Sequence, residues 1–179
     1  LIESKAEASG VKVVKIDPTH AGAHLALARI DAALGRQERA LRHAELASVA
    51  QPGEAFETLA ELMLRQDRLK EAADYARRSL DADRSRVLSA FVLGEVARRQ
   101  GHCEPAVTAY RQAIDAQRLR RGLVVRNVHA GLADCLARLG QEAESEKEFL
   151  SEIEAIPHSR EGRTGLAILY RSQGRDAEA

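Results

Sequence analysis

Six histidines and two cysteines carry the richest side-chain chemistry in this sequence, and their spacing gives them little to do together. His20 and His24 stand one helical turn apart and could share a metal ion, but two ligands alone make a poor site. They are expected to be solvent-exposed or packing residues. Cys103 and Cys135 form no C-x-x-C arrangement, so neither a zinc cage nor a disulfide framework is expected. Cys135 reads as a small core residue, and Cys103, at a turn, as exposed and oxidisable. The sequence contains no H-E-x-x-H, no phosphate-cradling glycine loop and no G-x-S-x-G elbow. The expectation is a protein without catalytic residues, metal or cofactor.

Charge chemistry is more orderly. Glu61 and Arg65, Glu95 and Arg99, and Asp134 and Arg138 are acid-to-arginine pairs four residues apart. Each pair in that order adds about 0.2–0.5 kcal/mol to its own helix. The same side chains could instead contact a partner as a ladder of paired charges. The stretch "QRLRRGLVVR" at 117–126 gathers Arg118, Arg120, Arg121 and Arg126 with no acid between them. Two readings stand: arginines complementing a helix C-terminus and solvated there, or a contact for an anion or acidic partner. Across the whole chain 27 basic and 27 acidic residues cancel. That balance supplies no general attraction to nucleic acid or to an anionic membrane, and neither is expected as a partner.

Long helices must position these groups. Of the 179 residues, 45% are hydrophobic and only 3% aromatic, and the dominance of Ala, Leu, Arg and Glu favours helix over strand. The longest apolar runs are far short of the roughly 18 residues a membrane span needs. With no visible export signal a cytoplasmic location is expected, although Leu1 in place of Met implies a truncated N-terminus. Self-similarity organises the rest. "GRQERA" at 35, "DRLKEA" at 67, "GHCEPA" at 101, "GQEAES" at 140 and "GRDAEA" at 174 recur at spacings of 32, 34, 39 and 34. Eight residues before each comes Leu and a small residue: Leu27-Ala28, Leu59-Ala60, Leu93-Gly94, Leu132-Ala133 and Leu166-Ala167. A Gly or Asp supplies a turn between two amphipathic helices, and the small residue admits a neighbouring helix closely. One such hairpin cannot bury its own apolar face, so neighbours must stack.

The pattern resembles the tetratricopeptide repeat (TPR), a 34-residue helical hairpin with Leu and a small residue at positions 7 and 8, Ala at 20, an aromatic at 24 and Pro at 32. Here position 20 reads Ala40, Ala72, Ala106, Ser145 and Ala179. Tyr110 and Phe149 match position 24, and Pro52 and Pro157 match position 32. The aromatic usual at position 4 is degenerate, and Glu152 falls where a small residue normally packs. The resemblance implies an all-α, right-handed superhelical solenoid of antiparallel hairpins. Residues 1–179 then form a single segment: a partial unit at 1–20, repeats at 21–52, 53–86, 87–125 and 126–159, and a partial unit at 160–179. First helices are expected near 21–34, 54–66, 87–100, 125–139 and 160–173, and second helices near 37–50, 69–82, 104–119 and 142–155. Residues 1–16 should be the second helix of an earlier unit, although "VKVVKI" also reads as a strand.

In that family the concave groove is lined by positions 2, 5, 9, 12 and 13 of the first helices. The resemblance therefore implies a non-catalytic scaffold binding a protein or peptide partner there. The candidate contacts are Glu57, Glu61, Arg65, Leu88, Phe91, Glu95, Arg98, Asn127, Asp134 and Arg138. Leu88 and Phe91 serve as the apolar anchor. Leu25 and Arg29 replace the Lys and Asn with which chaperone-tail binders hold a terminal carboxylate, and Glu57 and Glu61 would repel an acidic tail. A substrate-recruiting arm of a larger multidomain enzyme is the alternative reading. The ending at Ala179, with no second helix after it, is expected to leave the region around Leu169 and Tyr170 without a partner. Self-association through such ends follows from that expectation.

Overall fold

Every segment with a helical apolar period folds as a helix, and no strand occurs among the described residues. The computed structural model describes residues 2–120 and 123–178. Its helices are α1 (Ile2–Ile16), α2 (Ala21–Ala33), α3 (Gln37–Ala47), α4 (Pro52–Arg65), α5 (Leu69–Ala82), α6 (Val87–Arg99), α7 (Cys103–Arg118), α8 (Val128–Arg138), α9 (Glu142–Ala155) and α10 (Arg160–Ser172). This is an all-α helical-repeat solenoid. "VKVVKI" joins α1 as helix because Gly10 seats that helix on α2. A Cβ at Gly10 would lie 3.0 Å from Leu27 Cγ, and this close packing overrides the β-branched preference for strand.

The turns that end α2, α4, α6, α8 and α10 are built alike. Gly35, Gly101, Gly140 and Gly174 have φ between 72° and 78°, and Asp67 adopts the same left-handed conformation at 57°. In each turn the next amide donates back to a carbonyl inside the preceding helix, as from Arg36 to Asp31 at 2.7 Å and from His102 to Ala97 at 2.9 Å. This Schellman arrangement satisfies carbonyls that the helix end leaves open.

The chain groups into two compact units, residues 1–92 and 93–179. In the first, alanines pack against leucines. Ala28 and Ala44 pack with Leu59, and Leu41, Phe56 and Tyr75 close over them. Ala21, Leu25, Ala47 and Ala55 form a second cluster. Two buried hydroxyls tie the helices: Ser79 donates to the Gly53 carbonyl and Ser89 donates to Ser79, both at 2.7 Å.

In the second unit, aromatics meet glycines. Tyr110 is fully buried. A Cβ at Gly94 would approach its ring to 2.7 Å, and one at Gly131 would approach its hydroxyl to 2.5 Å. Phe149 lies against Gly165 in the same way and packs with Ala130, Ala133 and Leu169.

Several expected boundaries move for identifiable reasons. Helix α8 begins at Val128 rather than 125, because Asn127 takes a left-handed φ of 66°. Its amide donates to Glu152 Oε1 at 3.0 Å. Glu152, 1% exposed, also accepts from the Ser159 hydroxyl at 3.2 Å, so the residue that breaks the small-residue pattern holds the inserted linker. Helix α3 stops at Ala47, where Ser48 turns its hydroxyl onto the Glu45 carbonyl. The expectation that Leu169 and Tyr170 lack partners is overturned. Both are buried; the Tyr170 hydroxyl donates to Glu146 at 2.9 Å, and the Arg175 guanidinium lies 4.1 Å from the ring centroid. The apolar residue that α10 exposes is Ile168, at 63%. Ala179 and Arg121 lie outside the described residues.

Candidate functional site

The histidines do not assemble as a His20–His24 pair. His20 Nδ1 instead caps α2, accepting from the Ala23 amide at 3.0 Å. His24 is buried; its Nε2 meets the Pro18 carbonyl and its Nδ1 meets Nδ1 of His43, each at 2.9 Å. The carbonyl fixes the tautomers, because it can only accept. His24 therefore donates from Nε2 and accepts at Nδ1, which makes His43 the donor. The unprotonated Nε2 of His43 then faces Asp31 Oδ2 at 3.8 Å. Asp31 is itself buried and flanked by Arg36 at 3.4 Å and Arg39 at 3.3 Å. Burial, followed by the neighbouring His24, holds His43 below the usual imidazole range.

One of the two cysteines departs from expectation. Cys103 is the first residue of α7 and is buried rather than exposed, as is Cys135 on α8. Burial, with Cys103 next, pushes the Cys135 thiol up to about 12.

The three acid-to-arginine pairs have different fates. In the first unit Glu57 is buried, with the Arg86 guanidinium 3.5 Å away, and Arg29 pairs with Glu54 at 2.7 Å. No hydrogen bond or ion pair within 4 Å joins Glu61 to Arg65 among the described residues. Burial raises both Glu57 and Glu61 above the ordinary carboxylate range; the arginine nearest each counteracts this only partly. Leu88 and Phe91, on the first turns of α6, are half-buried.

The second unit neutralises its acids. Glu95 accepts from the Tyr110 hydroxyl at 2.5 Å and from Arg98 at 2.9 Å, while Arg99 stands 3.7 Å away. Its burial would raise it, but the hydrogen bonds from Arg98 and Tyr110 outweigh that and hold it below the ordinary range. Asp134 pairs with Arg138 at 3.0 Å and with Arg98 of α6 at 3.6 Å. The expected Glu95–Arg99 pair is present at 3.7 Å, and Arg98 joins it with the shorter contact of 2.9 Å. Asn127 is not on a helix face, and its backbone is held by Glu152. In the arginine-rich stretch, Arg118 pairs with Asp115 at 3.2 Å, and Arg120 and Arg126 are exposed.

No sequence-family model and no curated protein matches the chain. Solved structures do. A chain of the APC/C hetero-tetramer Cut9–Hcn1 superposes with a TM-score of 0.84 at 16% identity over 97% of this chain. PilF of Pseudomonas aeruginosa gives 0.80 at 16% identity, covering 98% of this chain and 80% of its own. YrrB, described as a TPR protein with an unusual peptide-binding site, gives 0.70 at 17% identity, covering 93% of this chain and 84% of its own. The chain has the TPR fold. It spans 34% of the matched chain of the Cut9–Hcn1 complex.

In TPR terms Glu61, Glu95 and Asp134 all occupy position 9, and position 24 separates them. Tyr110 at position 24 supplies the hydroxyl that captures Glu95, whereas Ala76 and Ala44 stand at that position in the first unit. The Arg98–Asp134 contact and the His24–His43–Asp31 chain join residues 19 or more positions apart in most cases, with no motif spacing to announce them. Only Glu152 gave a signal in the sequence, as a charge at a core position.

Proposed function

We propose that the chain is a non-catalytic protein-interaction scaffold whose first unit takes a peptide bearing a cationic residue beside an apolar one. The state of Glu57 and Glu61 carries this reading. They are successive carboxylates on one face of α4, raised by burial and incompletely neutralised, with the Leu88 backbone of α6 at Glu57; α6 also carries the half-buried Phe91. An incoming Lys or Arg would supply the missing charge, and an apolar side chain would cover Leu88 and Phe91. The peptide-binding site in the description of YrrB is consistent with such a use of this fold. In the second unit Glu95, Arg98, Asp134 and Arg138 are committed to one another, so these residues serve the scaffold's rigidity first.

Panning a random peptide library against the chain tests the proposal. Enriched peptides should carry Lys or Arg next to an apolar residue and lose at least tenfold in affinity against Glu61→Lys and Phe91→Ala. Enrichment of acidic peptides, or affinities indifferent to both substitutions, would overturn it.

A further inference from the structure

We propose that one partner of the Glu57–Glu61 face is a second copy of this chain, which docks there through the exposed connection between α7 and α8; this rests on the reading of that face as a site for a cationic residue beside an apolar one. The connection carries that pattern. Arg118, Leu119 and Arg120 are consecutive and exposed, Leu119 at 82%, and Val124, at 52%, is followed two residues on by the exposed Arg126. Among the described residues no hydrogen bond or ion pair engages Arg126. The Arg118–Asp115 pair, at 3.2 Å, joins side chains that are 74% and 73% exposed, where exchange for another carboxylate costs little.

Main-chain hydrogen bonds hold both ends of the connection. The Arg120 amide donates to the Gln117 carbonyl at 2.9 Å, the Val125 amide donates to the Gln117 side chain at 2.8 Å, and Glu152 holds the Asn127 amide. Docking therefore orders little new backbone there. Val49 and Ile16 are more exposed still, at 91% and 86%, but Val49 has no basic residue within three positions and Ile16 adjoins Asp17. From 117 to 126 there is no acid.

The receiving face has what the connection lacks. Glu61 has no hydrogen bond or ion pair within 4 Å among the described residues, and the contact of Glu57 with Arg86 is long, at 3.5 Å, so an incoming guanidinium finds carboxylates with acceptor capacity left. Leu119 would cover the half-buried Leu88 and Phe91. With 27 basic and 27 acidic residues, the copies carry no net charge to keep them apart near neutral pH. The contact uses a different patch on each copy, so a bound pair still offers one face and one connection, and further copies can add. One loop against one helix face buries less than a standard interface, so the association is weak and sensitive to salt.

The test is sedimentation equilibrium of the full chain across a concentration series at low and high salt. The weight-average mass should rise above the monomer's with concentration at low salt and return to it at high salt. Glu61→Lys alone, and Arg118→Ser, Arg120→Ser and Arg126→Ser together, should each weaken self-association by about tenfold or more, with helix content by circular dichroism unchanged. Mixing these two variants should restore a single contact and give a 1:1 pair that grows no further. A cationic peptide enriched by panning should return the unsubstituted chain to monomer. A chain that stays monomeric at every concentration, association indifferent to either variant, or a mixture that forms no pair would overturn the inference. If panned peptides bind and lose affinity against Glu61→Lys while the chain stays monomeric, the face keeps its assigned use and self-docking alone falls. If no cationic peptide is enriched and association depends on the arginines but not on Glu61, the assigned use of the face falls as well.

Discussion

The two units fill equivalent repeat positions in opposite ways. Up to Val92 the helices meet through Ala28, Ala44 and Leu59, alanine against leucine. From Leu93 onward Tyr110 and Phe149 fill the space that Gly94, Gly131 and Gly165 leave. An alanine at position 24 contributes only volume, whereas a tyrosine also brings a buried hydroxyl that must be satisfied. Satisfying it enlists Glu95 and, through Arg98, Asp134. One substitution class at one repeat position thus separates an acidic face still short of positive charge from one already neutralised.

Truncating the aromatic is the strongest way to break this contrast. Tyr110→Ala should cost about 4 kcal/mol, from the cavity and from the hydrogen bond taken from Glu95, read by denaturant unfolding. Ala76→Gly, at the equivalent position in the first unit, should cost only about 1 kcal/mol; equal losses would erase the distinction. Next comes charge. Glu95→Gln should destabilise by about 3 kcal/mol, because it removes the charge that the Tyr110 hydroxyl and Arg98 bind and leaves the half-buried Arg98 only its longer contact with Asp134, while Glu61→Gln should stabilise by about 0.5 kcal/mol. Acid titration carries the same signs. Glu95, held below its ordinary value, contributes stability above that value and loses it as pH falls through the lowered one. Glu61, held above its ordinary value, weakens the fold at neutral pH; that penalty begins to shrink as pH falls through the raised value and is gone below the ordinary one.

Gly94→Leu should lower stability by about 2 kcal/mol despite the better helix propensity, because the Tyr110 ring is enclosed and cannot retreat; a raised melting temperature would refute the glycine-on-aromatic packing. The smallest effect belongs to the first unit. His43 resists protonation when folded, owing to burial, His24, Arg39 and Arg42, with Asp31 acting in the opposite direction. Stability from this group is complete above the ordinary imidazole value and declines as pH falls through it. Unfolding free energy should therefore drop modestly between pH 7.5 and 5.5, and His43→Phe should remove that part of the drop.

The repeat itself was legible because it is a local signal repeated five times. Leu27-Ala28 or Gly101 needs only its own helix or turn to be recognised. Residues 142–155 form a helix as expected, and α1 settles as helix once Gly10 meets Leu27. The site was less legible because the sequence order of Glu95, Arg98 and Arg99 does not say which arginine makes the shorter contact, and Tyr110, which binds the same carboxylate, lies a turn and a helix away. His43 gave no signal because its partners lie on α2, and Cys103 read as exposed because the burial of a helix's first residue depends on the next hairpin.

The linker between α7 and α8 has a practical consequence. Its far end is pinned twice through the backbone: the Val125 amide donates to the Gln117 side chain at 2.8 Å, and the Asn127 amide donates to Glu152. Because these anchors read main-chain N–H groups, the side chains and length of the intervening stretch are free to vary. A reporter domain or new chain termini introduced between Leu119 and Val124 should leave the hairpins assembled, provided Gln117 and Glu152 are kept.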